Sequence, residues 1–304
     1  MLRGIGVESG MKTSLDCIPC FLRQAISASR MLSKDPAVHE QIVRKLLSWV
    51  CEADFNQSPP VMAQRIHRLL KKISGNGDPY RAAKKDLNRM AMKLLPDLKS
   101  QIESAEDPLM AAVRLAIAGN VLDMGVNGNI TEWDMRHVIQ KAIAEPFTGE
   151  WEDFCKAVKR ARNILYLADN AGEIVFDRLL IERLSPERVT LVVRGFPVIN
   201  DATMDDARYV GVDEIVETIG NGSDAPGTIL KDCSQEFNRR FTEADLILAK
   251  GQGNFETLSD DPHKIFFLFK VKCPVIADHT GFSVGTHVLA KSCQRILDSA
   301  SGLS

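Results

Sequence analysis

The 304-residue chain lacks the features of several large classes of protein. Aromatic residues make up 6% of it and its formal net charge is −2, so it has neither the base-stacking surface nor the polybasic field of nucleic-acid-binding proteins. No apolar run reaches the ~20 residues that a transmembrane helix needs. We therefore expect neither nucleic acid nor a membrane as a partner.

A regular framework of cysteines is also missing. The seven cysteines are spread along the chain and only Cys17 and Cys20 form a close pair, unlike the cysteines of a small secreted protein. The first ten residues contain no apolar segment of the kind that a secretory signal has. Both features predict a protein of the reducing cytoplasm.

The pattern of apolar residues divides the chain into two parts. Up to about residue 160 they recur at helical spacing and no strand-like run appears. From about residue 162, short β-rich runs at 163–169, 189–194, 214–218, 245–250 and 274–278 alternate with amphipathic stretches at 174–184, 201–210, 225–241 and 263–269. This predicts a helical domain, 11–160, and a doubly wound, mostly parallel α/β/α domain, 161–304.

The first predicted strand of the sheet ends in residues that suit a ligand site. Asp169 and Asn170 supply hard oxygen atoms, which divalent cations such as Mg²⁺ prefer. Gly172 permits a tight turn, and Glu173 would lie in the first turn of the next helix. The alternative is a plain strand-to-helix turn in which Asp169 caps the helix.

Other predicted strands deliver matching chemistry to the same sheet edge. The second strand is followed by Arg194, Asn200 and Asp201, and the fourth by Lys250, Gly251 and Asn254. Arginine and lysine bind phosphate oxygens, and glycines expose backbone N–H groups to an anion. This combination is what metal-assisted phosphoryl transfer needs. The structural alternatives are a helix cap, a surface ion pair and a flexible turn.

Two familiar nucleotide-binding motifs are absent. The turn after the first strand has one glycine, whereas a dinucleotide-binding turn has the pattern G-x-G-x-x-G. No Walker A loop is present. Ala171 stands where a haloacid-dehalogenase phosphatase would carry its second aspartate.

Three blocks of the sequence resemble the signatures of the metal-dependent damage-control phosphatases, long known only as a domain of unknown function. They are Asp169-Asn170-Ala171-Gly172-Glu173, Arg194-Gly195-x-Pro197-x-x-Asn200-Asp201 and Lys250-Gly251-Gln252-Gly253-Asn254. The likeness extends to Cys17-x-x-Cys20, Asp78-Pro79-Tyr80 and Gly119-Asn120-x-x-Asp123, so it covers nearly the whole chain from Met11. The cysteine pair resembles the stand-alone branch of archaea and bacteria. Some family members are also described as acidic-residue methyltransferases.

The resemblance implies a site between the two domains, a divalent metal ion (Mg²⁺, Mn²⁺, Co²⁺ or Ni²⁺) and small phosphorylated metabolites as substrates. These would be sugar, nucleotide or cofactor-derived phosphates. It implies that the metal is held by Asp169, Asn170 and Asp201, and the phosphate by Lys250. Together with the strand-end reasoning, the expected substrate contacts are Glu173, Arg194, Asn200, Gly251 and Asn254, with Asn120 and Asp123 from the helical half.

Several alternatives remain open at this point. Cys17 and Cys20 suit a zinc site completed by Cys51 and His67, a redox pair, or packing at the start of a helix. An S-adenosylmethionine-dependent carboxyl methyltransferase and a non-catalytic phosphometabolite-binding protein are the rival functions. The oligomeric state is not predicted.

Overall fold

The computed structural model describes residues 11–74, 78–119 and 131–292. Ahead of residue 161 the described residues form the α-helices α1 Ile18–Leu32, α2 Pro36–Cys51, α3 Pro59–Ser74, α4 Arg81–Glu103, α5 Pro108–Gly119, α6 Glu132–Ala144 and α7 Trp151–Arg160. Local chemistry fixes where several begin. Asp35 accepts a hydrogen bond from the backbone of α2, and Thr131 forms a capping box with Asp134 at the start of α6. Among the described helices, none combines the length and the apolar character that a bilayer crossing requires.

In the described part of the chain, seven strands form one sheet in the order β1-β7-β6-β5-β2-β3-β4. They are β1 Phe147–Gly149, β2 Ile164–Leu167, β3 Val189–Val193, β4 Glu217–Gly220, β5 Leu246–Lys250, β6 Ile265–Lys270 and β7 His287–Lys291. Every neighbouring pair is parallel except β6 and β7. The connecting helices are α8 Glu173–Arg183, α9 Met204–Tyr209, α10 Gln235–Glu243, α11 Gly251–Leu258 and α12 Pro274–Thr280. The predicted α/β class with a mostly parallel sheet is confirmed.

The sequence prediction was wrong at the C-terminal part of the sheet. Residues 263–269, predicted as an amphipathic stretch between strands, contain β6, and 274–278, predicted as a strand, lie in α12. The first five residues of β6 are all buried, and such a continuous apolar run has no period that separates strand from helix. Pro274 stands at the start of α12, a position that favours helix initiation. The strands β1 and β7 were not predicted.

Hydrophobic packing ties part of the helical half to the sheet. One cluster joins α4, α5, α6 and α7 to α8 and to one face of the sheet, through side chains such as Leu94, Ile117, Phe154 and Phe176. A second cluster covers the opposite sheet face, and a third lies within α1, α2 and α3. The boundary at residue 160 stays a prediction, since α4 to α7 share a core with the sheet.

The topology places a crevice beside β2. From β2 the chain proceeds outward to β3 and β4 on one side, whereas β5 and β6 lie on the other side. The helix after β2, α8, packs on one face of the sheet, and the helix after β5, α11, packs on the other face. Ligands of open α/β sheets bind at such a reversal of strand order, at the carboxyl ends of the strands. The polar residues that follow β2, β3, β5 and β6 therefore meet at one edge.

Candidate active site

Two loop segments come together at this edge and carry the three predicted metal ligands. Asn170, after β2, forms an isolated antiparallel bridge with Asp201, after β3. The backbone N–H of Ala202 donates to Asp169 O at 2.7 Å, and that of Ala171 donates to Asn200 O at 2.8 Å. The side chains of Asp169, Asn170 and Asp201 consequently line one cavity.

Asp169 lies in a strongly unfavourable setting for its charge. It is 8% exposed, and burial raises the pKa of its carboxyl well above the ordinary value. The nearby carboxylates of Glu173 and Asp201 raise this pKa further, while Lys272 and Arg194 oppose them. A divalent cation at this position would stabilise the ionised carboxylate.

The carboxamide of Asn170 is held in one orientation. Its Nδ2 donates to Asp169 Oδ2 at 2.7 Å and to Glu173 Oε2 at 3.1 Å. Because the nitrogen is engaged by two carboxylates, Oδ1 is the amide atom that can ligate a cation. Such contacts behind a ligand set its orientation in metal sites.

The donor set fits a hard divalent cation. Within the described residues, no three His, Cys, Asp or Glu side chains form a group that could hold a metal ion. The candidate set instead joins two carboxylates, Asp169 and Asp201, to the carboxamide of Asn170. Oxygen-only donors of this kind suit Mg²⁺ or Mn²⁺ better than a soft metal.

A cavity of about 320 Å³ opens in front of these three residues. One wall comes from the start of α1 and the start of α3, and includes Phe21, Pro59 and Ala63. Other lining residues come from the first turn of α11 and from the loop before α12. Five polar residues of the cavity wall that follow β2, β3 and β6 are called the cavity layer below: Asp169, Asn170, Asn200, Asp201 and Lys272.

Lys250 lies behind the cavity and not in its wall, contrary to the prediction that its ammonium meets the substrate. It is fully buried, and Nζ donates to Ala116 O at 2.8 Å, to Glu173 Oε1 at 2.5 Å and to Asp177 Oδ1 at 2.6 Å. Although burial lowers the pKa of Lys250, Asp177 and Glu173 raise it above its ordinary value. Three acceptors thus use the three donors of the ammonium group.

Three further predicted substrate contacts are enclosed in the same way. Glu173 is fully buried between Lys250 and Asn170. Arg194 is 3% exposed, and its Nε donates to Asp201 Oδ2 at 2.6 Å. Asn254 is fully buried and donates to the Lys250 carbonyl at 2.7 Å. Their polar atoms bind neighbouring residues of the site. The prediction that these three side chains contact the substrate directly is therefore not met by this arrangement.

These enclosed residues form a second row at the site, called the support layer: Glu173, Asp177, Arg194, Lys250 and Asn254. Gly251 separates the two layers. It has a φ of +79°, and a Cβ added there would collide with the Asp169 carboxylate. Because Gly251 has no side chain, α11 can begin directly against Asp169. Gly251 was predicted to contact the substrate, but its role in this structure is to leave room for Asp169.

The remaining predicted substrate contacts have different outcomes. Asn200 lines the cavity, and neither its Oδ1 nor its Nδ2 has a partner among the described residues although the side chain is 1% exposed. The preceding residue, Ile199, has a φ of +42°, which is uncommon for a β-branched residue and marks a strained turn. Asn120 and Asp123 lie outside the described residues.

Two charged residues of the cavity escaped the sequence reasoning. Lys272 is exposed, and among the described residues that line this cavity it is the one lysine or arginine. Glu256 also lines it, accepts from Gln252 Nε2 at 2.8 Å, and burial raises its pKa to about 7. Lys272 follows β6, so recognition of β6 as a strand would have led to it. Glu256 lies one helical turn beyond Gln252, on the same face of α11.

The cysteine pair lies at the cavity and not in a zinc site. Cys17, Cys20 and Cys273 line the cavity, whereas Cys51 is exposed elsewhere. Burial raises the pKa of the Cys17 thiol to about 11, which keeps it protonated and slow to react. His67 packs beside Tyr80, and burial lowers its pKa to about 4. Packing and cavity lining fit these observations better than zinc binding or a redox role.

Comparisons with known proteins agree with the geometry. Residues 13–288 match the model of the damage-control phosphatase ARMT1-like domain. A damage-control phosphatase of Archaeoglobus fulgidus is 36% identical over 285 residues, covering 91% of this chain and 98% of that protein. A damage-control phosphatase of Pyrococcus horikoshii is 35% identical over 275 residues, covering 88% of this chain and 93% of that protein.

The fold is shared with a solved structure. The crystal structure of a DUF89 family protein from Pyrococcus horikoshii superposes with a TM-score of 0.85 at 31% identity, and the match covers 93% of this chain and 100% of that one. The family match spans well over half of the residues, and both relatives exceed 30% identity over nearly their full length. The chain belongs to the family of the damage-control phosphatase ARMT1-like domain.

Proposed function

We propose that this protein is a metal-dependent phosphatase that hydrolyses small phosphorylated metabolites. The observation that carries the proposal is the cavity layer itself. Asp169, Asn170 and Asp201 meet on one side of a 320 Å³ cavity, and Lys272 lines the same cavity. Oxygen ligands for a cation, in the same cavity as the positive charge of Lys272 for phosphate, are the parts that metal-assisted phosphoryl transfer uses.

The phosphate end of the substrate fits the wall formed by α11 and Lys272. Gln252 and Gly253 lie in the first turn of α11 and line the cavity. Backbone N–H groups at a helix start are unpaired within the helix, and the helix dipole favours an anion there. Lys272 adds a full positive charge on the same side, which offsets the negative charge on the transferring phosphoryl oxygens.

The chain's own residues supply positioning and proton handling. Asp169, Asn170 and Asp201 would hold a divalent ion such as Mg²⁺, Mn²⁺, Co²⁺ or Ni²⁺, which would polarise a phosphoryl oxygen and lower the pKa of a water molecule. Arg194 holds Asp201, and Glu173 holds Asn170, so the oxygen donors keep their places. Glu256, with a pKa of about 7, exchanges a proton within the cavity near neutral pH.

The size and composition of the cavity favour small phosphomonoesters. A volume of about 320 Å³ lies at the low end for small-molecule sites. Phe21, Pro59 and Ala63 give the cavity an apolar part, where the non-phosphate part of a metabolite would pack. We propose sugar, nucleotide or cofactor-derived phosphates as the substrate class, and the cytoplasm as the place of action.

A phosphate-release screen tests this function. Purified protein is assayed against a panel of small phosphate esters with Mg²⁺, Mn²⁺, Co²⁺ and Ni²⁺ separately and with chelator. We expect turnover of several esters with metal and a loss of turnover with chelator. The Asp201→Ala variant is the matched control for contaminating phosphatases. Equal release by this variant, or full release in chelator, would contradict the proposal.

A further inference from the structure

Helix α4 reaches the site from the helical half through one buried side chain. Asn88 is 1% exposed and lies on α4, outside the sequence blocks that suggested the site. Its Oδ1 accepts from the Gly172 backbone N–H at 2.6 Å, and its Nδ2 donates to Asp206 Oδ1 at 2.9 Å. Asparagine suits this position because both an acceptor and a donor are used.

The two partners of Asn88 belong to the two segments that carry the candidate metal ligands. Gly172 follows Asn170 by two residues and starts α8 with a φ of +77°. Asp206 lies in the first turn of α9, just after the segment of Asp201. The segments already touch through the Asn170–Asp201 bridge, so Asn88 joins them a second time, at their outer ends.

Asp206 is itself held firmly enough to serve as an anchor. Its Oδ2 accepts from Thr203 N at 2.8 Å, from Thr203 Oγ1 at 2.7 Å and from Lys84 Nζ at 2.7 Å. Lys84 precedes Asn88 by one helical turn on the same face of α4, and it is 4% exposed. A capping box thus fixes Asp206 within the start of α9, and the buried charge pair with Lys84 holds that start against α4.

We propose that Asn88 is a positioning residue that sets the spacing between Asp169 with Asn170 on one segment and Asp201 on the other. This inference rests on the proposed metal site. Without Asn88 the bridge and the backbone hydrogen bonds beside it would still join the two segments, but the contact that ties Gly172 to Asp206 at their outer ends would be lost. A cation bound by oxygens from both segments requires one fixed spacing, so its affinity reports on this contact.

Direct titration with Mn²⁺ tests the proposal, at a temperature where circular dichroism shows every variant folded. We expect Asn88→Ala to bind Mn²⁺ about 10- to 100-fold more weakly than the unchanged protein. Leu98→Ala is the matched control, since it empties a buried position on the same helix away from both segments. It should lower the melting temperature and leave the affinity for Mn²⁺ unchanged.

A polarity swap separates positioning from packing. Asn88→Asp alone keeps the acceptor for Gly172 but sets a carboxylate against Asp206, so affinity should fall. Combining it with Asp206→Asn restores one donor and one acceptor across the contact, and affinity should return close to that of the unchanged protein. Unaltered affinity in Asn88→Ala, or a loss no larger than that of Leu98→Ala, would overturn the proposal.

Hydrogen exchange in chelator makes the two possible failures distinguishable. Asn88→Ala should speed backbone exchange over 169–173 and 200–206, and Leu98→Ala should not do so selectively. Unchanged exchange in both ranges would overturn the role of Asn88 without reference to a metal. Unchanged protein that binds no Mn²⁺ would instead overturn the proposed function, while the exchange result would still decide whether Asn88 joins the segments.

Discussion

Lys272 and Lys250 lie at the same edge of the sheet, but the side chain of Lys272 is exposed and that of Lys250 is buried. Lys272, after β6, is exposed in the cavity, whereas Lys250, at the end of β5, is fully enclosed by Glu173, Asp177 and Ala116 O. The residues of the cavity layer line the cavity, whereas none of the support-layer residues does. Charged residues at this sheet edge therefore divide into those that line the cavity and those that hold the cavity residues in place.

The support layer should carry more of the stability than the cavity layer. Lys250→Ala leaves the buried carboxyls of Glu173 and Asp177 without their cation, which costs ~3–5 kcal/mol in free energy of unfolding. Metal affinity should fall as well, because Glu173 orients Asn170. Denaturant unfolding measures the first effect. Lys93→Ala is the control, since its pair with Glu132 is exposed to solvent and should contribute little to stability.

A stability change for Lys250→Ala as small as that of the control would break the distinction between the two layers. It would return Lys250 to the role predicted from sequence, in which it contacts the phosphate and not the interior of the protein.

Lys272 should show the reverse pattern. Lys272→Ala removes the positive charge that faces the substrate, so kcat/KM for a phosphate ester should fall by about 10²–10³-fold. The free energy of unfolding should change by less than ~1 kcal/mol, because the side chain is exposed. Steady-state kinetics and unfolding of the same preparation check both statements. Unchanged kcat/KM would mean that the phosphate binds elsewhere.

Glu256 should make stability depend on pH. Burial raises its pKa from an ordinary 4.5 to about 7, so the folded protein holds a proton that the unfolded chain has lost between these values. The stability due to this protonation is complete below pH 4.5 and is lost as the pH rises through 7. In chelator, Glu256→Gln should therefore be more stable than the unchanged protein at pH 8, by ~1–3 kcal/mol.

Measurement of Glu256→Gln at pH 4 serves as an internal control, since the carboxyl is mostly protonated there in both the folded and the unfolded state. A gap between the two proteins that stays the same from pH 4 to pH 8 would show that Glu256 does not titrate near neutrality.

Asn200 should have the smallest effect. Its amide is buried without a hydrogen-bond partner among the described residues. Asn200→Ala therefore removes polar atoms whose burial is not compensated by a hydrogen bond. We expect unchanged or slightly higher stability, together with a several-fold higher KM, equivalent to ~1 kcal/mol of lost substrate binding. Thermal unfolding and steady-state kinetics measure the two. A clear loss of stability would place Asn200 in the support layer.

The sequence predicted the edge of the sheet better than the roles of the residues along it. Asp169, Asn170 and Asp201 were expected to meet because parallel strands end at one edge, and the structure places them together. Lys250 and Arg194 were expected beside them. Whether a side chain at a strand end turns toward the cavity or back toward a helix depends on partners distant in sequence, such as Ala116 for Lys250.

The missing parts of the prediction have specific physical causes. Lys272 was overlooked because β6, a run of Ile, Phe, Phe, Leu and Phe, has no periodicity to mark it as a strand. Asn88 was overlooked because its two contacts span 84 and 118 positions of the chain. Single-sequence patterns report neighbours along an element, whereas these contacts arise only when α4 packs on α8 and α9.

Metal binding is the property on which the proposed phosphatase activity depends most directly. Calorimetric titration of Mn²⁺ onto the chelator-treated protein should show one site, and Asp169→Ala should show none while its circular dichroism and melting temperature indicate an intact fold. Phosphate release by the unchanged protein should rise in step with occupancy of that site. Equal Mn²⁺ binding by Asp169→Ala, or full phosphate release before any metal is added, would contradict the account.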